Sequence, residues 1–108
     1  MPDVTVEVPH GLDLQEVIDK AKPVLEKTIS DFEGHDLEMQ WTDNRAEFSF
    51  KSLAFTIKGN MVVETGKLTV TIELPFAAMM FKDKVQQAIS KRLTKAMTEG
   101  GEEDPSDS

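Results

Sequence analysis

Residues 37–74 read LEMQWTDNRAEFSFKSLAFTIKGNMVVETGKLTVTIEL, and in run after run the apolar residues take alternate positions. Leu37, Met39 and Trp41 alternate with Glu38 and Gln40; past Asp43-Asn44, Ala46, Phe48 and Phe50 alternate with Glu47, Ser49 and Lys51. A period of two marks strands with one dry and one wet face, so these two runs predict a hairpin about an Asp43-Asn44 turn, with Trp41 largely buried beside Leu37 and Met39. Around Ser52-Leu53-Ala54 the phase changes, and Phe55, Ile57, Gly59, Met61 and Val63 take the odd positions. Alternation cannot change phase without a turn or bulge, so one strand ends there and another begins. Gly66 marks the next turn, and Leu68, Val70, Ile72 and Leu74 give a last strand that Pro75 stops.

Outward from this block, Val4, Val6 and Val8 alternate with Thr5 and Glu7 before Pro9, a further strand. Asp13 then stands as a helix N-cap, with Glu16 placed to close a capping box. Leu14, Val17, Ile18, Ala21, Val24, Leu25, Thr28, Ile29 and Phe32 follow at helical spacing. Pro23 falls inside that helix, where losing one hydrogen bond predicts a bend or a split, and Gly34 sits where a left-handed cap is expected. From Phe76 to about Thr98 the period is helical again, with Phe81, Val85, Ala88, Ile89, Leu93 and Ala96 on the dry arc. Arg92 lies on that same arc; its stem is expected to cover apolar surface while the guanidinium reaches solvent, the alternative being a carboxylate partner between helix and sheet.

The order is therefore β-α-β-β-β-β-α. Nearly every alternate strand position is polar, so one face of the sheet is wet and both helices must cover the other. The expectation is a two-layer α+β domain with an antiparallel sheet, in the TATA-binding-protein-like class and similar to a short helix-grip fold.

The chain has 108 residues, room for one core, and the domain is expected to span residues 1–98. The net charge is −8, and five of the acids lie in residues 99–108, an apolar-free acidic segment expected to be a disordered tail. There is no cysteine, so neither disulfides nor a thiolate site enters the reading. No run approaches the length of about 18 apolar residues needed to span a bilayer. Met1-Pro2-Asp3-Val4 lacks a basic-then-apolar leader, so the expected location is the cytoplasm.

Few residues carry chemistry. His10 and His35 each adjoin a glycine in expected loops, without a cysteine or a helical carboxylate at ligand spacing, so no metal site and no cofactor is assigned. Glu38 and Glu47 can meet across the hairpin, but on a wet face nothing desolvates them into an acid–base pair. No phosphate loop or nucleophile elbow appears, so no catalytic residue is assigned and enzyme activity is not expected. Nucleic acid is disfavoured as well, because the wet face bears Glu7, Glu38, Glu47, Glu64 and Glu73, and the aromatics Trp41, Phe48, Phe50 and Phe55 all lie on the dry side. The segment Leu74 to Phe81 stands apart. It holds eight residues without a charge, and on a helix starting at Phe76 the side chains of Phe76, Met79 and Met80 turn away from the packed stripe. Exposed, methionine-rich apolar surface suits an adaptable hydrophobic partner, and these three residues form the candidate binding surface; the bland reading is that they plug the end of the core.

Val4-Thr5-Val6-Glu7-Val8-Pro9-His10, Trp41-Thr42-Asp43, Arg45-Ala46-Glu47-Phe48-Ser49-Phe50, Ile57-Lys58-Gly59 and Val70-Thr71-Ile72-Glu73-Leu74-Pro75-Phe76, in this order and spacing, resemble the polyhydroxyalkanoic acid system proteins. These are small bacterial proteins associated with polyhydroxyalkanoate granule gene regions. The resemblance runs from about Val4 to Leu93 and brings no catalytic residues with it. It implies a non-enzymatic protein that binds the granule surface or a granule-associated protein. Two alternatives stay open: a carrier holding an acyl or other small apolar ligand between sheet and helices, which a filled core would exclude, and an oligomerisation domain, with a homo-oligomer then expected.

Overall fold

Residues 3–98 are described by a computed structural model. The acidic segment and its expected disorder lie outside the described residues. The elements are β1 (Asp3–Pro9), α1 (Leu14–Asp31), β2 (Gly34–Thr42), β3 (Arg45–Ser52), β4 (Phe55–Glu64), β5 (Lys67–Glu73), a 3₁₀ segment (Phe76–Phe81) and α2 (Lys82–Thr98). All strand pairs are antiparallel, in the order β1-β5-β4-β3-β2, so the first strand closes one edge beside the last and β2 forms the other. The two-layer α+β architecture read from the sequence is the one found.

Register explains the core. Val4, Ile72, Gly59, Phe48 and Met39 lie side by side across the five strands, and the next row on the same face is Val6, Val70, Met61, Ala46 and Trp41. Against these rows α1 sets Val17, Ala21, Leu25 and Ile29, and α2 sets Ile89, Leu93, Ala96 and Met97, all buried. Burying each large side chain among them stabilises the fold by about 1.5–3 kcal/mol, so this interface carries the domain. Gly59 interrupts one row because the Phe48 ring lies over it: a Cβ there would come within 2.6 Å of Phe48 Cζ and of the Thr71 carbonyl oxygen.

Several local expectations are corrected. Trp41, Leu37 and Met39 are only partly buried, because they lie on the edge strand β2, where no residue is fully covered. Helix α1 runs unbroken through Pro23, whose ring lies on the exposed side while the packed face on either side of it holds the helix together. Asp13 occupies the N-cap and its carbonyl accepts from the Val17 N–H at 3.0 Å, but its side chain makes no cap hydrogen bond, so the capping box with Glu16 does not form. The left-handed residue after α1 is Glu33, at φ 64°, and not Gly34. Gly34 is required for another reason: a Cβ would run into Ile29, 2.8 Å from its carbonyl oxygen. The last helix does not start at Phe76, since a 3₁₀ segment precedes α2, and Phe81 is partly exposed rather than buried in the core.

Arg92 does not simply extend into solvent. Its Nη1 donates to Asp31 Oδ2 at 2.9 Å and to Thr28 Oγ1 at 3.1 Å, tying α2 to the last turn of α1. Thr28 Oγ1 in turn donates to the Val24 carbonyl at 2.8 Å, so this buried hydroxyl is satisfied on both sides. Lys27 Nζ also reaches Asp31, at 3.3 Å. Desolvation pushes the Asp31 pKa up, but the hydrogen bonds and charges of Arg92 and Lys27 outweigh it and hold the carboxyl below its ordinary value.

Two outcomes follow for stability. A Gly59→Ala variant gains about 0.5–1 kcal/mol from the loss of glycine's chain entropy, but overpacking against Phe48 and a fixed carbonyl costs about 1–3 kcal/mol, so chemical denaturation should show net destabilisation. For Asp31→Asn, the lowered folded pKa sets the sign. The carboxylate stabilises the fold above its unfolded value of 3.8 and loses that contribution as pH falls through the folded value. The variant should therefore be less stable than wild type near neutrality and converge on it in acid, the gap being small because the carboxylate is 37% exposed and screened by solvent. Melting curves across that pH range check the sign, and a gap that widens in acid would contradict it.

Candidate functional site

The candidate site lies where the sheet ends and α2 has not yet begun. After Pro75 the chain forms a 3₁₀ segment, closed first by the Ala78 N–H donating to the Pro75 carbonyl at 2.9 Å. With three residues per turn, side chains three apart eclipse. Ala78 points into the core and is buried, whereas Phe76, Met79 and Met80 are 69%, 48% and 79% exposed. The structure thus brings the three candidate residues together on one short segment with their side chains outside the core. The reason differs from the helical period used to expect it, because the segment is 3₁₀ and not α.

Phe81, at 43%, and Leu53, at 69%, are also exposed. Both line a cavity of about 360 Å³ bounded by α1, the 3₁₀ segment, α2 and the β3–β4 turn. Its interior is made by Leu25, Ile57, Ile72, Leu74 and Ile89, all buried, and Asp31, Glu33 and Lys84 stand at the exposed rim. The core is therefore not filled at this end, although the chain carries six phenylalanines and a tryptophan. Sequence reasoning missed Leu53. The signal was present, because a large apolar residue occupies a turn between two strands of opposite phase.

The polar candidates serve the framework. His10 accepts from the Leu12 N–H through Nδ1 at 3.2 Å and donates through Nε2 to the Glu64 carbonyl at 2.8 Å, while its backbone N–H donates to the Gly66 carbonyl at 3.1 Å. The first bond braces the β1–α1 loop internally, and the other two pin it to the β4–β5 turn. His35 belongs to β2 and not to a loop; its Nδ1 lies 3.1 Å from Asp36 Oδ2 on an exposed surface. Glu38 faces Ser49 and Glu47 faces Gln40, so the two glutamates are diagonal rather than opposed. Among the described residues no group of three or more His, Asp or Glu is placed to hold a metal ion, and no helix is long and apolar enough to cross a membrane.

No curated protein matches the chain significantly. The crystal structure of TTHA0849 from Thermus thermophilus shares 13% identity and a TM-score of 0.34, with 86% of this chain and 90% of that chain covered; a likeness this low carries no argument. A family model is decisive: residues 4–97 match the one described as "Putative polyhydroxyalkanoic acid system protein (PHA_gran_rgn)". That match covers nearly all of every strand and both helices, and the chain belongs to the polyhydroxyalkanoic acid system protein family.

Proposed function

We propose that this protein attaches, without catalysing a reaction, to the surface of cytoplasmic polyhydroxyalkanoate granules through Phe76, Met79 and Met80. The observation that carries the reading is the exposure of these side chains on a segment, Leu74 to Phe81, that contains no charged residue. An aliphatic polyester offers hydrogen-bond acceptors but no donors and a largely apolar surface. Flexible methionines and a phenylalanine match such a surface by area rather than by directional bonds. Membership of the polyhydroxyalkanoic acid system family supports the polymer as the apolar body that the patch meets. The non-enzymatic part of the reading is supported by the structural employment of the polar groups, His10 in a loop clasp and Arg92 in an interhelix tie.

A Met79→Gln, Met80→Gln double variant tests this directly. Its melting temperature should stay near wild type, since neither side chain fills the core, while co-sedimentation with protein-free polymer particles should weaken roughly tenfold or more as the transfer energy of two thioether chains is lost. Binding only to particles that keep their native protein coat would assign the patch to a granule-associated protein. Destabilisation by several kcal/mol would show that the methionines plug the core and would end the proposal.

A further inference from the structure

We propose that the cavity beneath the β3–β4 turn is a binding site for one medium-length, unbranched acyl chain, held with its carboxylate at the rim beside Lys84. Three observations lead there. The first is size: about 360 Å³ lies at the small end of the range of about 300–1,000 Å³ for small-molecule sites, which suits a single chain and is too small for a two-tailed lipid.

The second is chemistry. The interior residues are aliphatic, and the two hydroxyls that border the cavity are already engaged, Thr28 with Val24 and Arg92, and Ser52 Oγ donating to the Phe32 carbonyl at 3.0 Å. No polar side chain lining the interior awaits a partner, so the buried part of an occupant must be hydrocarbon. At the rim Asp31 is neutralised by Arg92 and Lys27, whereas Lys84 is an exposed cation with no ion pair among the described residues. Glu33, also at the rim, disfavours an anion, and Lys84 is the cation among the lining residues that can take the head group.

The third is backbone strain in the lips of the cavity. Among the described residues, four other than glycine have positive φ: Asp36 and Asp43, a residue type that tolerates it, and Glu33 and Leu53, which do not. Both of the latter line this cavity. Leu53, at φ 56°, is also more than two-thirds exposed, so it gains little from burial in return. A large apolar side chain kept at a position suited to glycine is the kind of local cost that sites of recognition retain. Leu53 and Phe81 both line the cavity and are exposed, so each offers apolar surface to a chain that enters it.

The test is a methyl and amide NMR titration of the full chain with octanoate below its micelle concentration, with octanol as the uncharged control. The expected result is shifts confined to residues that line the cavity, with the methyls of Leu25, Leu53, Ile57, Ile72, Val85 and Ile89 among them. Leu53→Gly should melt at or above wild type, because the strain is removed, yet bind octanoate several-fold more weakly. Lys84→Gln should weaken octanoate several-fold and leave octanol unchanged. Absence of shifts at those methyls, shifts limited to Phe76 and Met80, or wild-type affinity in Leu53→Gly would overturn the site; an unchanged octanoate affinity in Lys84→Gln would overturn the assigned head group. The measurement uses no polymer, so its outcome is separate from that of particle binding.

Discussion

One dry sheet face must be covered by two helices, and the rest of the molecule depends on that constraint. Five strands in antiparallel register bring the alternate apolar residues of every strand to the same side, with Val4, Ile72, Gly59, Phe48 and Met39 in a single row. A sheet of this kind is not stable with that side in water. Helix α2 lies over β1, α1 lies beside α2, and the Arg92–Asp31 bond fixes the two together at 2.9 Å. Coverage is uneven as a result. Strand β2, at the edge, keeps Trp41 only partly buried, and the end of the sheet near the β3–β4 turn retains a cavity.

That unevenness is where the proposed functional surface arises. Pro75 ends the strand path and the following six residues wind as 3₁₀, which turns one small residue, Ala78, inward and leaves the large ones outside. Apolar patch and cavity lie on either side of this segment, which contributes to both: Phe76, Met79 and Met80 to the outer surface, Ala78 and Phe81 to the cavity wall. The proposed polymer contact and the proposed one-chain site are physically compatible uses of the same end of the domain. The open sheet face is different. It mixes acids and bases, with Lys67 near Glu7 and Arg45 near Glu47 at 3.8 Å each, as a solvated surface does.

Much of the fold was legible because phase is a strong signal. The change of parity at Ser52-Leu53-Ala54 located the β3–β4 turn, and the order of elements followed from length and alternation. What was not legible depends on three-dimensional coverage. Alternation shows which side Trp41 faces but not whether a helix reaches it, and Met97 joins the core only because α2 stays packed to its last turn. The partner of Arg92 lies 61 positions away in sequence, at a separation no local pattern reports. The exposure of Phe76, Met79 and Met80 was anticipated from an α-helical period, although a 3₁₀ segment delivers it; the cavity, being a mismatch of volumes, left no mark in the residue pattern.

The central claim is that the chain meets its apolar partner through the end of the domain marked by the 3₁₀ segment. Hydrogen-exchange footprinting of the protein on purified polymer particles tests it most directly, because backbone protection reports the buried surface without any substitution. Protection gained on binding should be confined to Phe76 through Val85 and the Leu53-Ala54 turn, with the open sheet face unchanged. Protection spread over the exposed residues of β3 and β4, or none beyond that of the free protein, would contradict the account.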